Sequence, residues 1–256
     1  TKELAYEVGG CVGRIMMPQQ GERPIVGGQY CTIACVESAR YQTLQGVAKI
    51  GKDCEHTSGD TFLMADLPGG KKGMAISDGM GSGEEACRES TMVVEMLEEL
   101  LEAGFPAKMA IEIMNTALVI GREDVRFSTI DVCLFDLYTG SCEFVKAGAS
   151  ATFIKRADGV EKITSATLPI GVIKDMEIES VERELSSGDF VIMVTDGVMD
   201  ALPAKEQDTL MAEFIREANT VNPKELAHSL LGKVLEWSGE KPADDMTIMA
   251  VGLWKL

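Results

Sequence analysis

With 256 residues, 45% apolar and 25% charged, the chain has the make-up of one large globular domain or of a domain with a small appendage, and is long enough to bury a substantial core. No apolar run approaches the ~18 residues of a membrane-crossing helix, and the opening T-K-E-L-A-Y-E lacks the basic and apolar regions of a signal peptide. A net charge of −17 argues against nucleic acid and direct contact with an anionic membrane, and is compatible with cation binding.

The chain begins at Thr1 rather than Met, which is consistent with a fragment of a longer protein. Its seven cysteines are odd in number and stand mostly in apolar surroundings, as expected of reduced core thiols in a cytosolic compartment. Cys31 and Cys35 lack a second pair of ligands, so a zinc site is not expected.

In chain order, residues 1–38 read as a lead-in or regulatory linker, with a short helix followed by Pro18, Gly21, Pro24, Gly27 and Gly28. Residues 39–256 read as the main domain. Tyr30–Glu37 and Tyr41–Ile50 look like paired strands, and 51–59 like a polar loop. Thr61–Leu67 and Gly73–Ser77 flank a Pro68-Gly69-Gly70 turn and predict a β-hairpin. Asp60 and Asp78 lie equally far from the turn centre, so the simplest register sets them opposite each other at the open end.

Ala86, Ser90, Val93, Val94, Leu97, Leu100 and Leu101 then follow a helical period, with Ser82 and Glu85 as a capping box and Gly104 as the stop. A second helix opens at Pro106 and runs to Gly121. Strands follow at 129–137, 142–147, 152–156 and 160–164, and Leu168–Val172 forms a corner. Val181–Leu185 and Phe190–Thr195 read as a hairpin around Ser187-Gly188. Helices are predicted near 206–219 and 223–237, and a last strand over 246–254. Helices paired between blocks of strands suggest antiparallel sheets flanked by helices.

Four acids share one setting: Asp60 and Asp244 precede apolar strands, while Asp78 and Asp196 follow them. Gathered at one rim about 5 Å apart, they would repel by about 3 kcal/mol per pair at an effective dielectric near 20, which calls for protonation or bound cations. An Asp before Gly is also a common turn residue, so each acid alone is a weak signal. Oxygen ligands and only two histidines, His56 and His228, favour Mg²⁺ or Mn²⁺ over zinc. Two such ions would activate a water for phosphate-ester hydrolysis. G-M-G-S-G at 79–83 lacks the context of a dinucleotide fingerprint.

The ordered set S-G-D (58–60), S-D-G-M-G-S-G (77–83), S-T-I-D (128–131), L-P-I-G (168–171), T-D-G (195–197) and D-D-M-T (244–247) resembles the metal-dependent 2C-type serine/threonine phosphatase family. Within it, D-G-M-G-S-G and the flanking R-Y-Q-T-L-Q-G-V-A are similar to the phosphatase domain of the stage II sporulation protein E branch.

The resemblance implies an α+β fold, a four-layer α-β-β-α sandwich of two antiparallel sheets flanked by paired helices. It implies two Mn²⁺ or Mg²⁺ ions, bridged by Asp78, with the Gly79 carbonyl on one, Asp196 and Asp244 on the other, and Asp60 contributing directly or through water. Asp245 is the less favoured acid of its pair, and Thr129 and Asp131 are supporting residues. Met80 stands where eukaryotic relatives often carry His, and no basic residue in these motifs is an evident phosphate clamp, so the metals are expected to carry most of the substrate binding.

The implied substrate is a phosphoserine on an anti-anti-sigma factor, controlling sigma factor activation in sporulation. The implied location is the cytoplasmic side, with a parent chain membrane-anchored through upstream segments. A homodimer through regulatory helices and a switch built on the helix pair 84–121 are further expectations. His56 reads as an exposed loop residue.

Overall fold

The computed structural model describes residues 1–19, 25–28, 30–54, 57–81, 83–120, 127–239 and 241–256. The chain divides into two compact units, residues 1–40 with Leu256, and residues 41–255. In the first, α1 (Lys2–Val12) ends at Gly13, whose left-handed φ of 70° closes the helix, and β1 (Met16–Pro18) pairs with β2 (Cys35–Glu37).

The second unit holds two five-stranded antiparallel sheets. One has the order β10 (Ser180–Glu184), β7 (Ser141–Ala147), β6 (Ile130–Asp136), β5 (Lys71–Asp78), β4 (Asp60–Leu67). The other has the order β3 (Tyr41–Ile50), β12 (Met246–Lys255), β11 (Phe190–Val194), β8 (Thr152–Lys155), β9 (Val160–Ile163). Met74, Cys133, Phe135 and Phe144 of the first sheet pack with Ile154, Val191, Met193, Met249 and Val251 of the second, and this dry layer fixes the two sheets face to face.

Helices α2 (Glu84–Glu102) and α3 (Ala107–Ile120) cover the first sheet through Val93, Leu97, Ile111 and Met114 against Leu63, Val132 and Val145. On the second sheet, α4 (Asp196–Asp200), α5 (Gln207–Glu217) and α6 (Pro223–Ser238) bring Val198, Met211, Leu226 and Leu230 against Phe153, Ile192 and Ile248. The result is the four-layer α-β-β-α sandwich. Among the described residues no helix is long and apolar enough to cross a membrane.

Three local expectations differ from what is observed. Tyr30–Ala34 is not strand, and β3 pairs along its whole length with β12, from Tyr41 opposite Lys255 to Ile50 opposite Met246, rather than with β2. A ten-residue partner from the far end of the chain satisfies every rung that the three-residue β2 would leave open. The stretches around Ser187-Gly188 are not a hairpin either. β10 carries Glu182, Arg183 and Glu184 and lies at an edge beside β7, whereas β11 is buried at all five positions and needs neighbours on both sides, which β12 and β8 provide. The thiols also divide: Cys133 and Cys142 are buried, while Cys11 and Cys31 are exposed. Ser82, Gly121 and His56 lie outside the described residues, and the N-cap of α2 is Gly83.

Candidate metal centre

The β4–β5 hairpin places Asp60 and Asp78 as direct cross-strand partners at its open end. Directly opposed carboxylates destabilise a sheet, so the arrangement is not explained by folding. Asp60 is fully buried. Its backbone carbonyl accepts from Lys49 Nζ at 2.5 Å and its Oδ2 from Thr195 Oγ1 at 3.1 Å, while Oδ1 has no hydrogen-bond partner. Burial pushes its carboxyl up to about 6, against the lowering influence of the Thr247 and Thr195 hydroxyls, with the charge of Asp245 adding to the rise.

Asp78 is pushed further, to about 9, first by burial and then by the charges of Asp60, Asp196 and Asp244. The other three expected acids are thus near enough to Asp78 for their charges to act on it. The Asp78 peptide is fixed on both sides: its N–H donates to Thr129 Oγ1 at 3.1 Å, and its carbonyl accepts from Thr129 N at 2.9 Å and Ser128 Oγ at 2.6 Å. At Gly79 a Cβ would stand 2.3 Å from the Ala86 carbonyl oxygen, so only glycine lets α2 pack this closely behind the aspartate.

The other two acids come from the second sheet. Asp196 follows β11 and opens α4, and its Oδ1 accepts from Gly197 N at 2.8 Å. A Cβ on Gly197 would stand 2.1 Å from the Asp245 carbonyl oxygen, which brings this turn against the 244–247 segment. Two hydrogen bonds lock the contact, Thr195 N to Thr247 O at 3.1 Å and Thr247 N to Thr195 Oγ1 at 2.9 Å.

Asp244 lines the cleft, whereas the neighbouring Asp245 is buried and spends both oxygens on backbone, accepting from Lys52 N at 2.8 Å and Gly59 N at 2.7 Å. The two adjacent acids therefore have different duties. Asp131 is also away from the cleft wall, held in a sealed cluster with Lys146 and Thr152.

The cleft, ≈ 290 Å³, is lined by Asp78, Gly79, Asp196 and Asp244 together with Thr129, Lys52, Met80, Gly81 and Phe127. Sequence reasoning did not single out Lys52 or Phe127. Asp200 is another addition: burial, then Asp196 and Asp244, raise its carboxyl, and its i, i+4 spacing from Asp196 on α4 was the available signal.

Among the described residues no three His, Cys, Asp or Glu side chains converge closely enough to hold one ion by themselves. A hydrated hard cation takes one or two carboxylates and completes its shell with water and backbone oxygens. The all-oxygen donors, the unpartnered Asp60 Oδ1 and the raised carboxyls fit such an ion.

Residues 68–253 match the family described as stage II sporulation protein E (SpoIIE). The chain is 34% identical over 239 residues to stage II sporulation protein E of Bacillus subtilis (strain 168), covering 93% of this chain and 29% of that protein. It is also 34% identical over 225 residues to the Priestia megaterium protein of the same name, covering 88% of this chain and 38% of that one. The chain thus spans about a third of the length of these relatives. The solved structure of the PP2C phosphatase domain and a fragment of the regulatory domain of the cell fate determinant SpoIIE from Bacillus subtilis superposes with a TM-score of 0.81 at 34% identity, covering 88% of this chain and 67% of that one. By sequence and by fold, the chain belongs to the stage II sporulation protein E family, with a phosphatase domain of the PP2C type.

Proposed function

We propose that this domain is a Mn²⁺- or Mg²⁺-dependent protein serine phosphatase that removes the phosphoryl group from a phosphoserine of an anti-anti-sigma factor and so controls sigma factor activation in sporulation. The observation that carries the reading is one cleft lined by Asp78 of one sheet and by Asp196 and Asp244 beside the other, with the buried Asp60 directly opposite Asp78 in the hairpin behind it.

In this reading Asp78, the Gly79 carbonyl, Asp196 and Asp244 would hold the ions. Asp60 would contribute from the buried side, directly or through water. The ions, when bound, supply Lewis acidity that activates a water and neutralises phosphoryl oxygens during in-line displacement. The chain's own contribution is position. Thr129 and Ser128 hold the Asp78 peptide, and Thr195 with Thr247 holds the Asp196 turn against Asp244. Asp245 ties the 52–59 loop to the same edge.

The sporulation substrate and a membrane-anchored parent are supported by the likeness to the two sporulation relatives, whose remaining length lies outside this chain. The test is hydrolysis of p-nitrophenyl phosphate with and without Mn²⁺ by the wild type and Asp78→Asn, followed by assay on a phosphoserine-bearing anti-anti-sigma protein. Metal-dependent turnover lost in Asp78→Asn supports the reading. Turnover that ignores both metal and mutation overturns it.

A further inference from the structure

In the proposed reading four carboxylates would offset the formal charge of two divalent ions, so a further cation at the cleft would strengthen the hold on a phosphoryl dianion. The chain around it is strongly acidic, at −17, and Asp200 adds another acid beside Asp196 and Asp244. A cation from the protein would supplement the ions in holding an anionic substrate, and the cleft wall contains one. Lys52 is the basic residue among the described residues that line it.

The other lysines near this edge are committed. Lys49 Nζ donates to the Asp60 carbonyl at 2.5 Å, and Lys146 Nζ is sealed between Asp131 and Thr152.

The backbone under Lys52 is built to hold it in place. Its N–H donates to Asp245 Oδ1 at 2.8 Å, and the next N–H, of Asp53, donates to the Pro242 carbonyl at 3.0 Å. Asp53 itself adopts a left-handed conformation, φ 52° and ψ 21°, the one non-glycine residue with positive φ among those described. Such backbone costs free energy and persists only where its surroundings dictate it. Here both tethers come from the 242–245 segment that also presents Asp244, so Lys52 and an expected metal ligand are held by one piece of chain.

We propose that Lys52 is a substrate-binding residue whose ammonium group takes a non-bridging oxygen of the phosphoryl group, in the substrate and in the phosphate product. The assignment rests on the phosphatase reading, yet it can fail while that reading stands.

The test uses the whole chain with Mn²⁺, inorganic phosphate and p-nitrophenyl phosphate. Lys52→Met should raise KM and the inhibition constant for phosphate by about tenfold, the lower range for a lost charge-assisted hydrogen bond. It should leave the Mn²⁺ concentration for half-maximal activity unchanged, and Lys52→Arg should restore phosphate inhibition to within about threefold of wild type.

A second measurement needs no variant. In the Mn²⁺-loaded wild type, phosphate should slow acetylation of Lys52 several-fold, read by peptide mass spectrometry, while the exposed Lys205 is unaffected. Unchanged phosphate inhibition in a folded Lys52→Met, or equal acetylation of Lys52 with and without phosphate, overturns the assignment. Absence of Mn²⁺-dependent turnover in the wild type would instead remove the phosphatase reading beneath it.

Discussion

Asp131 on β6 and Lys146 on β7 are cross-strand partners whose side chains are 3% and 2% exposed, joined in an ion pair that Thr152 of the opposite sheet completes. Asp131 Oδ2 takes both donors and Oδ1 has no partner, so the pair is only partly compensated. Removing one member of such a pair leaves a buried charge and costs about 3–5 kcal/mol, whereas replacing both by apolar groups is often nearly neutral. Lys146→Met should lower unfolding stability by that amount in urea titrations at pH 7. The double variant Lys146→Met/Asp131→Leu should recover at least half of the loss. Equal losses in the single and double variants would refute this account of the cluster.

Metal removal should expose the cost of crowding the acids. In metal-free protein the Asp78 carboxyl is raised from its ordinary 3.8 to about 9, so between these values the folded chain holds a proton that the unfolded chain has released. Stability then falls as pH rises through that window, because the state binding more protons is the folded one. With EDTA present, melting temperature should drop from pH 5 to pH 8, and Asp78→Asn should flatten the trend and melt about 4–8 °C higher at pH 8, equivalent to ~2 kcal/mol for a chain of this size. Added Mn²⁺ should stabilise the wild type more at pH 8 than at pH 6, since binding displaces protons. A wild-type melting temperature that rises with pH in EDTA would contradict the burial argument.

Gly197→Ala tests how the two sheets are joined at the rim. The added methyl group would collide with the Asp245 carbonyl, 2.1 Å away, and neither backbone can yield without separating the Thr195–Thr247 contacts. Overpacking of this kind costs about 1–3 kcal/mol. Turnover should fall with stability, because Asp196 and Asp244 move apart. Unchanged stability would show that the contact is slack.

Asn115 provides a longer-range test. Its Oδ1 accepts from Gly171 N at 2.9 Å, and its Nδ2 donates to the carbonyls of Ile173 at 2.9 Å and Lys174 at 3.2 Å. The neighbouring Ile170 exchanges backbone hydrogen bonds with Ser128, whose hydroxyl donates to the Asp78 carbonyl. A buried amide thus connects α3 to the peptide of a candidate ligand through the L-P-I-G segment. Asn115→Ala should cost about 1–3 kcal/mol. It should also raise the Mn²⁺ concentration for half-maximal turnover several-fold while leaving turnover at saturating Mn²⁺ near wild type. A loss of turnover that excess metal cannot restore would argue against this route.

Much of this arrangement is legible in the sequence because it is written locally. The Pro68-Gly69-Gly70 turn fixes the hairpin register, and with it the opposition of Asp60 and Asp78. The periodicity of α2 marked its buried face. What was not legible depends on partners remote in sequence. The β3 pattern does not reveal that its mate lies some two hundred residues on, and nothing local says that β10 and β11 part to different sheets. Lys52 escaped notice for the same reason, since a lysine in a polar loop acquires meaning only when Asp245 and Pro242 pin the loop beside the acids.

The pairing of β3 with β12 also has a consequence for biosynthesis. The first strand of the phosphatase domain waits for the last, and the last is preceded by Asp244. A nascent chain emerging from the ribosome therefore carries an open sheet edge and lacks one of the candidate ligands until β12 has left the exit tunnel. Hydrolytic competence would be withheld from unfinished polypeptides, and C-terminal truncations ending before Met246 should accumulate as inactive, protease-sensitive species.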